Sequence, residues 1–263
     1  MSEQSASSSG GIAVTPTPTS FRMRAEENRD SAATLKRTAR ATGGWYLGLA
    51  IAGLVGFLVI RPQIYVAGDP TATLANLVDR EGLARLGVVF ELAVVVTQAL
   101  AAVWFYKLFR SLNNTAAFSL AVFGLVNALA IMASAVFMAT ALTVGADGSL
   151  APGGDVAATV QLMYELSSTS WGVGSLFFGL WLIPMGYIAT GSGRMPSWLG
   201  RLLIAGGIGY LLSTFVSYGV AGAPTWLVDL LPLPATIGEL WMIGYLLKIG
   251  LRDPSSQQIT EPA

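Results

Sequence analysis

Three carboxylates interrupt otherwise apolar runs: Glu91 in VVFELAVVV, Glu165 in QLMYELSST and Glu239 in ATIGELWMIG. An ionised side chain in a hydrocarbon environment carries a cost of several kcal/mol. Each of the three should therefore face protein or water, find a partner, or take up a proton. Such groups could bind a cationic small molecule or relay a proton. Hydrogen-bonding residues share their helical faces: Gln98 lies two turns beyond Glu91, and Ser168, Thr169 and Gly172 lie on the side of Glu165. Asn127 with Ser134, and Tyr210 with Ser213, Thr214 and Ser217, make further polar stripes. Two arginines could offset a glutamate: Arg61 near the exit of the first span and Arg85 near the outer entrance of the second. Arg85 and Glu91 do not face one another on a regular helix, so their pairing would have to bridge helices. The expected site is a carboxylate cluster of Glu91, Glu165 and Glu239, partly compensated by Arg85, with Gln98, Asn127 and Thr169 beside it. The bland reading of the same polar groups is a set of interhelical links.

Other chemistries are excluded by composition. The 263 residues include no Cys and no His, which removes disulfides, thiol nucleophiles, Cys/His metal or haem sites and imidazole relays. HExxH, GxSxG and P-loop patterns are absent, so an enzyme is disfavoured, and no cofactor or metal is expected. Fifteen basic and fifteen acidic residues leave a net charge of zero, which gives no field for nucleic acid.

The elements that must position the acids are membrane helices. Hydrophobic residues make up 53% of the chain and charged residues 11%, less than half the charged share of a soluble domain. Runs of roughly 20 apolar residues, enough for a core about 30 Å thick, recur six times. They fall near residues 43–60, 83–109, 116–144, 157–189, 198–220 and 233–251. The fold class is all-α: a six-helix membrane domain over residues 41–252, with a disordered tail at 1–40 and a short tail at 253–263. Arg61-Pro62 should end the first span, and Pro184 should bend the fourth. Asp69-Pro70 has the chemistry of a helix start. A short helix on the outer surface should follow it, burying Leu74, Leu77 and Val78.

Six spans bring both ends to one side. That side carries Arg22, Arg24, Arg29, Lys36, Arg37, Arg40, Lys107, Arg110, Arg194, Arg201, Lys248 and Arg252, against only Arg61, Arg80 and Arg85 opposite. The positive-inside bias makes both termini cytoplasmic. Aromatic residues near the predicted boundaries, including Tyr46, Trp104, Trp198, Tyr164 and Trp226, read as interfacial anchors. Gly44, Gly48, Ala52 and Gly56 form a small-residue stripe suited to close packing, within the chain or against a second copy or another membrane protein.

The segments RTARATGGWYL, GDPTATLANLVDREGLARLGVVFEL, FFGLWLIPMGYIATGSGRMPSWLG and LPATIGELWMIGYLLKIG, in this order and spacing, resemble the bacterial multi-pass membrane family known as domain of unknown function 4386. The resemblance covers roughly residues 37–252 and implies a six-helix unit in the cytoplasmic membrane. It also implies an acid at the positions of Glu91 and Glu239, with a looser pattern around Glu165. It implies no reaction or ligand. Two functional expectations arise: a small transporter or ligand-binding membrane protein with an acidic interior, or a non-transporting component that binds a partner protein or lipid.

Overall fold

The computed structural model describes the backbone of residues 18–252 and the side chains of 31–252. Six helices are long and apolar enough to cross a membrane: Ser31–Ile64, Glu81–Phe109, Asn114–Ala146, Val156–Gly191, Ser197–Gly219 and Thr225–Lys248. In the most apolar window of each, only 33–44% of residues are buried, and the rest are partly or fully accessible. Leu58, Phe118, Phe215 and Leu240 are all at least 60% exposed, a surface that water would not tolerate and lipid would cover. The chain is a multi-pass helical membrane protein.

The first span is built in three parts: α1 (Pro18–Gly53), a π-helical stretch (Leu54–Ile60) and α2 (Arg61–Ile64). Pro62 gives the reason for the widening. It has no N–H to donate, and its ring would press on the carbonyl four residues earlier. Residues ahead of it shift to the wider repeat, and Arg61 N–H bonds Gly56 C=O. Arg61-Pro62 therefore does not end the span as expected; helix continues to Ile64.

The expected tail also changes. Residues 18–40 are helical, and Thr38 and Ala39 are buried, where disorder was expected. The stretch AEENRDSAATLKRTAR is rich in strong helix formers. The membrane helix beyond it supplies the nucleus that an isolated peptide lacks. Residues 1–17 and 253–263 of the two expected tails lie outside the described residues.

Helix α3 (Pro70–Asp79) begins as expected, with Asp69 Oδ1 accepting from Ala72 N–H at 2.9 Å. Its buried face is Thr73 and Leu77, with Leu74 beside them. Val78 is exposed, contrary to expectation. The Thr73 hydroxyl bonds the backbone of Val66 and Asn76 bonds Ile64 C=O, which turns the helix to that face. It packs against the neighbouring spans at the end of the bundle away from the termini.

The remaining spans are α4 (Glu81–Phe109), α5 (Asn114–Ala146), α6 (Val156–Gly191), α7 (Ser197–Gly219) and α9 (Leu233–Lys248), the last preceded by the short α8 (Thr225–Leu230). Asn113 and Asp155 cap α5 and α6 by accepting from N–H groups three residues on. Helix α6 runs unbroken through Pro184. Each span packs against the next in sequence, and α9 returns to α1, so the six spans close into a ring.

Glycines allow the tight contacts. A Cβ at Gly48 would meet Thr97 at 3.2 Å, and one at Gly56 would meet Phe90 at 3.0 Å, so this part of the stripe packs within the chain against α4, whereas a Cβ at Gly44 would meet nothing within 4 Å. A Cβ at Gly206 or Gly209 would strike the backbone of Ala235 or Leu231, which is how closely α7 approaches the start of α9. The C-terminal end of the described chain lies at one end of the ring, where Arg252 N–H bonds Arg194 C=O at 3.1 Å and Gly250 lies near Ala39 of α1.

Candidate functional site

The interior of the ring holds a cavity of about 310 Å³. Every span contributes a polar or aromatic group to its wall: Tyr46, Gln98, Asn127, Trp171, Tyr210 and Glu239, from α1, α4, α5, α6, α7 and α9 in turn. Apolar residues such as Leu49, Val94 and Ile243 fill the gaps between them. Concave, mostly apolar walls with a few placed polar groups are the usual form of a small-molecule site, and this volume lies at the lower end of the usual range.

Glu239 reaches the cavity from the second turn of α9. Tyr46 O–H donates to its Oε1 at 2.5 Å, a bond that ties α1 to α9. Among the described residues its other oxygen has no hydrogen-bond partner, and no cation lies within ion-pair distance. Gln98 is fully buried, yet neither its Nε2 nor its Oε1 meets a partner among the described residues. A buried amide with both ends unpaired is costly, about 1–3 kcal/mol for each unmet group, and it demands an explanation.

Glu91 lies behind the cavity wall and is 3% exposed. Trp171 Nε1–H donates to both of its oxygens, at 2.9 and 3.0 Å, while Trp171 itself lines the cavity. On the far side Arg61 approaches at 3.9 Å, the long limit of an ion pair. Arg61 donates to Ser167 Oγ at 3.1 Å, Tyr164 C=O at 2.9 Å and Ser168 Oγ at 2.7 Å. Its guanidinium carbon also sits 5.4 Å from the ring centroid of Phe57 and 5.9 Å from that of Tyr164. Ser134 extends the network through a 2.7 Å contact with Ser167. The first span, through α2, and spans α4, α5 and α6 are thus joined around one buried ion pair.

The expected cluster is therefore assembled only in part. Glu239, Gln98 and Asn127 share the cavity, and Glu91 abuts it through Trp171. Glu165 does not converge with them: it is exposed on α6 and accepts from Tyr65 O–H at 2.5 Å. Thr169, on the same outward side, is exposed as well. Arg85 is not the compensating cation, because it pairs with Glu81 at 2.6 Å with both side chains more than half exposed. One turn of helix separates those two residues, so the local partner wins over a distant one. Arg61 takes the interior role, carried inward by the widened turn that precedes it.

Tyr46 and Tyr164 are buried to 1% exposure, so they are not interfacial anchors. Tyr46 could have been found from its spacing: with Leu49 and Gly53 it forms an i, i+3, i+7 face. No local signal marks Trp171 as the donor to Glu91.

Fold and site together define a polytopic membrane protein, six helices closed around a cavity with polar groups from every span. The chain belongs to the family described as domain of unknown function DUF4386, whose pattern matches residues 41–250. No curated protein and no solved structure matches the sequence.

Proposed function

We propose that this protein is a ligand-binding membrane protein, a small transporter or a receptor, whose intramembrane cavity takes a cationic small molecule or a proton at Glu239. The observation that carries this reading is the cavity wall itself: an acid with one free oxygen and no cation partner among the described residues stands in the same hollow as an unpaired buried amide. A ligand cation would supply the missing charge. Glu91, compensated by Arg61, holds Trp171 in the wall and is a positioning residue.

The protein resides in the cytoplasmic membrane with both termini in the cytoplasm. The distribution of Lys and Arg supports this orientation. It is stronger than the sequence count, because Arg61 is buried in the bundle and leaves only Arg80 and Arg85 as surface cations at the opposite end. The competing reading, a non-transporting component that binds a partner protein or lipid through its small-residue stripes and tail, loses part of its surface because Gly48 and Gly56 are occupied by α4.

The test is to purify wild type and Glu239→Gln in native-lipid discs and compare co-purifying small molecules by mass spectrometry. An amine-containing molecule should be retained by wild type and lost from the variant. Identical complements in the two preparations would defeat the proposal.

A further inference from the structure

The cavity has a side door. Its rim includes Gly53 and Leu54 on the first span and Thr236 and Leu240 on α9, and Leu54 and Leu240 are 55% and 61% exposed. Residues that both line a cavity and face outward mark an opening. In a membrane helix at this depth the outside is hydrocarbon rather than water. A Cβ built on Gly53 would meet nothing within 4 Å, so the seam is unfilled at that level. Toward the chain ends the same seam is shut. There a Cβ on Gly43 would meet Leu246 and Leu247 at 3.0–3.1 Å, and the Tyr46–Glu239 bond crosses between the helices.

We infer that the ligand is a membrane-borne single-chain amphiphile with an amine head, which enters between α1 and α9 and leaves its tail in the lipid. This deepens the reading of Glu239 as a cation site and rests on it. Three features select this class. The free Glu239 oxygen matches an ammonium N–H. Gln98 offers one acceptor and one donor to a head that also carries a hydroxyl or carbonyl oxygen, which would satisfy both of its buried groups. The volume of about 310 Å³ is roughly that of ten waters, enough for a head and its first methylenes and too small for a two-chain lipid. A phosphate-bearing head is disfavoured as well, since it would set an anion beside Glu239.

The experiment uses full-length protein in phosphatidylcholine discs, incubated with dodecylamine, butylamine or dodecanol and measured by native mass spectrometry. Wild type should retain one dodecylamine per chain, with retention at least tenfold lower for dodecanol and for butylamine at equal concentration. Glu239→Gln should lose dodecylamine tenfold or more. So should Gly53→Phe, which plugs the mouth where there is open space for a side chain. Should Gly53→Phe retain dodecylamine fully, or butylamine bind as well as dodecylamine, entry from the lipid is refuted while the acidic site stands. Should Glu239→Gln hold dodecylamine as wild type does, the cavity is an apolar slot only and both readings fall. If Glu239→Gln does not fold, judged by circular dichroism and elution volume, the plug and chain-length arms still decide the route.

Discussion

Replacing Arg61 by Met keeps the aliphatic stem packed among Phe57, Tyr65 and Tyr164 but removes the charge and every donor. Two losses result. Three interhelical hydrogen bonds disappear; such bonds average about 0.6 kcal/mol in membrane helices, so together they come to about 2 kcal/mol. Glu91 is then left as a buried charge held only by Trp171. Uncompensated buried ions typically cost about 3–5 kcal/mol, and the 3.9 Å separation argues for the lower figure. The single variant should lose about 4–5 kcal/mol. Glu91→Leu leaves Arg61 its three neutral acceptors and should lose about 3 kcal/mol. In the double variant neither ion remains to be desolvated, so its loss should not exceed that of Arg61→Met, well below the sum of about 7–8 kcal/mol. Reversible unfolding in mixed micelles, tracked by circular dichroism across a detergent titration, measures all four corners of the cycle. Additive single losses would refute the coupling, and with it the claim that this pair is one unit.

Two further outcomes come from the packing and the loops. Gly206→Leu should destabilise by more than about 3 kcal/mol, because its side chain would strike the backbone of Ala235, whereas Gly44→Leu, with nothing within 4 Å, should change stability by less than about 0.5 kcal/mol in the same titration. In the loop after α5, the Ser149 hydroxyl at 2.6 Å and the Ser149 N–H at 3.0 Å hold the Asp147 carboxyl below the usual carboxylate range. A carboxyl depressed in the folded state stabilises the turn above its unfolded value of about 3.9, and that contribution fades as pH falls through the folded value. The hydrogen-exchange protection of the Ser149 amide should fall with acidification below about pH 4, and Asp147→Asn should abolish that dependence.

Local chemistry decided which features were legible in the sequence. Apolar run length located α4 to α7 to within about two residues at each end, because a bilayer imposes a length that composition must meet. Asp69 and Pro70 disclosed a helix start because caps are local devices. Glu91 and Glu239 stood out because a carboxylate in an apolar run is costly wherever it lies. Azimuth was harder to read. Whether an acid some turns along a helix faces inward depends on which helices flank it, and ring closure by α1 and α9 has no local signature. Glu165 and Thr169 carried the same signal as Glu91, but their face of α6 points outward. The π-helical stretch altered the count as well: one widened repeat rotates the residues beyond it, bringing Arg61 to the interior face when a regular 3.6-residue spacing had left its orientation open.

The arrangement also explains why two acids in one bundle are treated so differently. Glu91 has a fixed cation, two contacts from an indole and near-complete burial, so its charge is satisfied within the protein and it is suited to holding Trp171 still. Glu239 has a single phenol and an unpartnered oxygen on a cavity that opens toward lipid between Gly53, Leu54 and Leu240. If both acids served only to join helices, each should be as fully partnered as Glu91, and Gln98 should not stand unpaired opposite a hollow. Under the proposed function, this asymmetry corresponds to a structural role for Glu91 and recognition by Glu239. It also predicts different consequences for the same substitution: Glu91→Gln should weaken the fold, whereas Glu239→Gln should leave stability within about 1 kcal/mol and remove ligand.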